Sequence, residues 1–141
     1  MKILVSLHDL ALGGTTINAI DLAVTLRDKH GHDVVLFASP GPLTKLVSDA
    51  GLRYLPAPVA ECHPSPARMR CLREAVRRER PDLLHVWETW ACLDAYCAVH
   101  LPWGLPLLVT DMQMQLTRVL PTMPTTTFGT PELVDQARAA G

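Results

Sequence analysis

HDLALGGTTINAIDLA, residues 8–23, follows directly on the apolar run KILVSL (2–7), and its reading decides the fold. KILVSL has the length and continuity of a strand. From about Thr15 to His30, wound at about 100° per residue, Ala19, Ile20, Leu22, Ala23 and Leu26 gather on one side. Asn18, Asp21, Thr25 and Asp28 fall opposite, so the segment is predicted to be an amphipathic helix with one buried face. Gly13 and Gly14 stand where the strand gives way to that helix. Glycine at this point lets the backbone approach a ligand and take positive φ, and Thr15 or Thr16 is placed to cap the helix. Exposed N–H groups at a helix start form an anion site, most often for phosphate. A structural turn with no ligand would use the same residue types.

Outward from this junction the pattern repeats. Strand-length apolar runs recur at 34–38 (VVLFA), 52–56 (LRYLP), 83–87 (LLHVW), 105–110 (LPLLVT) and 125–129 (TTTFG). Most are continuous rather than alternating, as in strands covered on both faces. Helical patterns lie between them at about 41–51, stopped by Gly51; 66–79, stopped before Pro81; 89–101, stopped by Pro102; and 131–140, after Pro131. Strand–helix alternation with crossovers of this length predicts right-handed connections and a largely parallel sheet. The fold class is therefore α/β, a three-layer, Rossmann-like, doubly wound sheet forming one domain over 1–141. PAPVAECHPSP (56–66) is a proline-rich loop within it.

Composition narrows the function classes. Thirteen basic and fourteen acidic residues leave a net charge of −1, which gives no global field for nucleic acid. The longest apolar runs fall far short of the roughly 20 residues of a membrane span. No signal-peptide pattern opens the chain, so a soluble cytoplasmic protein is expected. Cys62, Cys71, Cys92 and Cys97 form no CxxC pair and are expected as reduced thiols, with Cys92 and Cys97 as small hydrophobes in a helix. No spacing among them and the six histidines suggests a metal site. The dinucleotide fingerprint GxGxxG is absent, which argues against a nicotinamide enzyme.

The stretch 13–39, GGTTINAIDLAVTLRDKHGHDVVLFAS, resembles the opening of family 4 glycosyltransferases of GT-B fold: a GG pair, an LA-x-x-L helix, then GH-x-V leading into the second strand. Here these are Gly13, Gly14, Leu22, Ala23, Leu26, Gly31, His32 and Val34. PDLLHVWET (81–89) is similar to the fourth strand of that family, LPLLVT to the fifth, and FGTPELVDQARAAG (128–141) to the sixth strand and the helix closing the N-terminal lobe. The resemblance covers nearly the whole chain. It implies the acceptor-binding lobe of a nucleotide-sugar-dependent glycosyltransferase acting with retention. Such enzymes have two lobes, and the acidic E-x7-E motif of the donor-binding lobe has no counterpart here. The donor lobe is thus expected in cis or in trans, and transfer is not expected from these 141 residues alone.

By the resemblance, Gly13, Gly14 and Thr15 approach the donor diphosphate, where backbone N–H groups stabilise developing negative charge. The nucleotide sugar enters as a co-substrate and no cofactor is implied. His8 and Asp9, on the same loop, are candidates for acceptor hydroxyls, with a solvated loop as the competing reading. Trp87 and Glu88 end the fourth strand on the cleft side. Glu88 suits an acceptor hydroxyl, and Trp87 or Trp90 suits stacking, although for Trp90 a core position is preferred. Many relatives carry a His just past the fifth strand; Met112 stands there, or Asp111 if the register slips by one. Asp111 can accept from hydroxyls or act as a base, or it can be a turn cap. Arg118 is a candidate for a substrate phosphate or carboxylate, or a solvated loop residue.

His85 reads as a satisfied core histidine. On the segment RMRCLREAVRRER (68–80), wound as a helix, Arg70, Arg73, Arg77 and Arg80 form a stripe opposite Met69, Leu72, Ala75 and Val76. The stripe is a candidate contact with anionic lipid at the inner face of the membrane, or an ordinary solvated face. Two alternatives remain: a non-catalytic binding subunit of a split GT-B enzyme, and another nucleotide-sugar or nucleotide-binding protein of this fold, such as a 2-epimerase.

Overall fold

The computed structural model describes residues 1–113, 115–117, 119–120 and 124–140. Its elements run β1 (Lys2–Asp9), α1 (Gly14–Asp28), β2 (Asp33–Ser39), α2 (Thr44–Asp49), β3 (Arg53–Pro56), α3 (Pro66–Glu79), β4 (Leu83–Trp87) and α4 (Thr89–Ala95). A π-helical turn (Tyr96–His100) leads into α5 (Leu101–Trp103), followed by β5 (Leu107–Asp111), β6 (Thr125–Phe128) and α6 (Pro131–Ala140). Six strands among the described residues form one sheet in the order β3-β2-β1-β4-β5-β6, and all adjacent pairs are parallel. This is the doubly wound order, with its switch point between β1 and β4.

Side chains alternate across the sheet. Ile3, Val5 and Leu7 pack with Ala19, Ile20 and Ala23 of α1 on one face. On the other face Leu4, Leu84 and Val86 meet Leu72 and Val76 of α3 and Ala91, Cys92 and Ala95 of α4. Three layers result. The amino edge of the sheet is tied by surface ion pairs, with Glu79 Oε2 accepting from Arg53 Nη1 (3.0 Å) and Lys2 Nζ (3.4 Å). His85 is buried, its Nε2 is 2.8 Å from Thr110 Oγ1, and burial pulls its pKa down to about 4. It is the satisfied core histidine expected.

Two expectations need correction. Pro102 does not stop its helix: it lies inside α5, and Gly104, at φ 68°, ends the segment. Proline has no N–H for the carbonyl four residues back, which is that of Ala98. The widened π turn absorbs the break, and Arg73 Nε donates to Ala98 O at 2.9 Å. Arg73 therefore leaves the outer stripe to satisfy the neighbouring helix. The second correction concerns α1, whose cap is neither threonine: Gly13 is the N-cap, in extended backbone at φ −173°, and Ile17 N–H donates to Gly13 O.

Candidate functional site

The loops after β1 to β5 open at one edge of the sheet. Four buried side-chain atoms among the described residues lack a hydrogen-bond partner: His63 Nε2, Trp87 Nε1, Thr89 Oγ1 and Asp111 Oδ2. All four belong to this carboxyl edge, on the loop after β3, at the end of β4, at the start of α4 and at the end of β5. Folded proteins rarely leave such atoms unpaired, and strain, a catalytic role or a bound water or ion accounts for the exceptions. Backbone strain is found there too. Among the described residues, Arg80 and Glu88 are the non-glycine residues at positive φ. Arg80 (φ 50°) caps the end of α3, an ordinary place for a left-handed residue. Glu88 (φ 69°) opens α4, where nothing in helix geometry asks for it.

Gly13 and Gly14 are exposed at the mouth of this edge. Neither has positive φ, contrary to the expectation, and a Cβ on either would meet nothing within 4 Å. The fold itself does not require glycine at either position. What they leave is open space beside the start of α1, where the first N–H groups have no side-chain cap. Thr15 lies half-buried in the first turn. The loop is braced from behind: Leu43 N–H donates to Leu10 O at 2.9 Å, and a Cβ on Gly41 would sit 2.5 Å from that same oxygen. Gly41 is needed for that close approach.

His8 and Asp9 end β1 as a pair. Asp9 Oδ1 accepts from Ala11 N–H at 3.0 Å, and Asp9 Oδ2 lies 3.0 Å from His8 Nδ1. Beneath them sits a group that sequence reading missed. The register of β1 on β2 shifts between Ser6 and Asp9, a bulge that frees carbonyls at the strand end. Arg68, 1% exposed, fills the gap: Nη2 donates to Leu7 O (2.9 Å) and Nη1 to His8 O (2.9 Å), Ser39 Oγ (2.6 Å) and Pro58 O (3.0 Å). Arg68 Nε donates to Asp94 Oδ2 at 3.1 Å. Burial pulls the guanidinium pKa down while Asp94 pushes it back up, and the group stays charged. Asp94 also accepts from Ser65 N–H (2.6 Å) and lies 2.9 Å from His63 Nδ1.

The signal for Arg68 was present, since it shares the i, i+4, i+7, i+8 face with Leu72, Ala75 and Val76. An arginine on an apolar face of a helix marks a buried ion pair. His63, inside a proline-rich loop, carried no such signal.

The remaining candidates divide. Trp87 is buried in the core beside α1, 4% exposed, so its ring is closed to stacking because β4 turns it inward. Trp90, for which the core was preferred, is 44% exposed and stacks on His63 with centroids 5.7 Å apart. Glu88 is half-buried at the N-cap of α4, its N–H donating to Thr110 O. Asp111 ends β5 and is fully buried; Oδ1 accepts from Gln113 N–H at 3.1 Å, and desolvation raises its pKa. Met112 follows it at the surface, against Gly129. Arg118 lies outside the described residues. Burial pushes the Cys92 thiol up to about 12, so Cys92 is inert, as its reading as a small hydrophobe implies. Among the described residues no three His, Cys, Asp or Glu side chains gather to hold a metal ion.

Solved structures with this arrangement include MurG of Acinetobacter baumannii (TM-score 0.64, 12% identity, covering 89% of this chain and 44% of that one). Another is SsfS6, a glycosyltransferase of Streptomyces sp. SF2575 (0.59, 18%, 99% and 43%). A third is the UDP-GlcNAc 2-epimerase of Methanocaldococcus jannaschii (0.57, 15%, 99% and 42%). At these identities the likeness is one of fold, and the chain spans less than half the length of each. No curated protein matches the sequence. Residues 12–111, from the GG loop to the end of β5, match the model of Glycosyltransferase Family 4, and the chain belongs to that family.

Proposed function

We propose that residues 1–141 form the acceptor-side, N-terminal lobe of a nucleotide-sugar-dependent glycosyltransferase that acts with retention once joined, in cis or in trans, to a donor-binding lobe. One observation carries the reading: the unpaired buried atoms and the strained Glu88 gather at the same sheet edge as the open start of α1. The N–H groups of Gly13, Gly14 and Thr15 meet the donor diphosphate there, with glycine at 13 and 14 to admit it. Glu88, His8 and Asp9 hold acceptor hydroxyls. Asp111 orients a hydroxyl or takes its proton, which its raised pKa favours. Trp87 supports the site from beneath, and Arg118 is assigned to an anionic group of the substrate.

The protein works in the cytoplasm at the inner membrane face, which it meets through the exposed Arg70, Arg77 and Arg80. Arg77 lies over the half-exposed ring of Trp103, 5.0 Å from its centroid, so charge and an amphipathic aromatic share one surface. No helix among the described residues is long and apolar enough to cross a membrane.

The test is an amide NMR titration of the chain with pyrophosphate and a panel of nucleotide sugars. Saturable shifts at Gly13 to Thr15 are expected, and silence there overturns the anion site. The fold likeness to an epimerase favours a second reading, a nucleotide-sugar epimerase lobe. Product analysis with a donor lobe supplied separates the two.

A further inference from the structure

His63 lies on the loop between β3 and α3, with its side chain 6% exposed. Asp94 holds it from one side: the carboxylate is fixed by Arg68 Nε and Ser65 N–H, and it accepts the proton of His63 Nδ1 at 2.9 Å. In the tautomer that carries its proton on Nδ1, toward Asp94, the ring presents a lone pair at Nε2. That atom is buried and has no partner. Two rings pack against His63, His8 with centroids 4.9 Å apart and Trp90 at 5.7 Å and 27°. Both are themselves partly exposed, so the cover over His63 is two surface side chains, His8 held by Asp9 and Trp90 open to solvent.

The chemistry of the missing partner follows from what surrounds the ring. Arg68 has its donors committed to Leu7, His8, Ser39, Pro58 and Asp94. Asp94 and Asp9 are acceptors. The partner must therefore bring a donor, and a hydroxyl supplies one. Beside the lone pair stands an exposed indole, a surface suited to the C–H face of a sugar ring.

We propose that His63 and Trp90 form a carbohydrate subsite, in which the indole carries the face of a sugar ring and His63 Nε2 accepts a hydrogen bond from one of its hydroxyls. The acceptor is then itself a sugar or bears one. This deepens the acceptor-side reading and rests on it.

The experiment uses the 141-residue chain labelled with ¹⁵N in histidine and in the backbone, titrated separately with glucose, mannose, N-acetylglucosamine and pyrophosphate. The expected result is that one sugar moves the His63 Nε2 resonance saturably, and quenches Trp90 fluorescence with the same Kd. His63→Asn places an amide nitrogen where Nδ1 stands, keeping the bond to Asp94 while deleting Nε2. It should weaken sugar binding at least tenfold, the value of roughly one hydrogen bond. Trp90→Ala, at the surface, should do the same with the melting temperature unchanged. Sugar binding unaltered in both variants, or no sugar response at His63, overturns the subsite. Pyrophosphate reports separately: its shifts at Gly14 and Thr15 together with no sugar response at His63 leave the donor reading standing and remove this one, and a sugar response at His63 with no pyrophosphate response at Gly14 and Thr15 removes only the donor site.

Discussion

Replacing Arg68 by methionine keeps the stem and its packing while removing the guanidinium. Five hydrogen bonds go with it, from Nε to Asp94 and from the terminal nitrogens to Leu7 O, His8 O, Ser39 Oγ and Pro58 O. The largest cost is the Asp94 carboxylate, 4% exposed and left without its cation; breaking a buried pair from one side costs about 3–5 kcal/mol. Orphaned carbonyls at the β1 bulge add about 1–3 kcal/mol each where water does not replace the donor. Against this, the guanidinium's own desolvation, which pulls its pKa down, disappears with it. The net expectation is a loss of about 4 kcal/mol, a large share of the roughly 5–15 kcal/mol that holds a domain together. Urea unfolding followed by tryptophan fluorescence reads it as a midpoint lowered by about 2 M at an m-value near 2 kcal/mol/M. Arg68→Lys should recover only part, since an ammonium cannot span the same fork of acceptors. A loss below about 1 kcal/mol in Arg68→Met would refute the assignment of Arg68 as the tie that closes the sheet edge.

Gly14→Ala should raise stability by about 0.5–1 kcal/mol, because its Cβ has free space and φ is ordinary, while abolishing pyrophosphate binding; calorimetry and NMR together check the opposite signs. Glu88→Gly should relieve the φ 69° strain and gain about 1 kcal/mol in thermal unfolding while weakening acceptor binding. His85 makes stability depend on pH: the unfolded ring takes up a proton near 6.5 and the folded one only at about 4, so the unfolded state binds more protons in that window. Stability should therefore fall by about 3 kcal/mol as pH drops through the window, and a flat profile in the wild-type chain would exclude it. Arg70→Glu with Arg77→Glu should abolish co-sedimentation with phosphatidylglycerol vesicles at low salt, and retention of binding would remove the membrane role of α3.

The layers and the parallel, doubly wound class were legible because apolar runs and breakers are local signals: KILVSL, the Gly13–Gly14 junction and Gly51 each speak for themselves. The helix past Pro102 was not, since the donor that rescues Ala98 O comes from Arg73, 25 residues upstream. At the site, Glu88 and Asp111 could be placed by the rule that ligands meet the carboxyl ends of parallel strands. The fate of the two tryptophans could not, because neighbouring residues at the turn from β4 into α4 point to opposite environments. The His63–Asp94–Arg68 cluster is assembled from three segments, so no window of sequence contains it.

The contact at Gly41 bears on how the lobe can be rebuilt. Backbone touches backbone there, and the same Leu10 carbonyl also receives the Leu43 N–H, so the loops after β1 and β2 interlock like two halves of a clasp. A graft that transplants HDLALGG from another member of the family without SPGPL would bring together surfaces cut for different partners. The two loops are therefore exchanged together or not at all, and the turn at Gly13 and Gly14 keeps its shape only with the loop after β2 behind it.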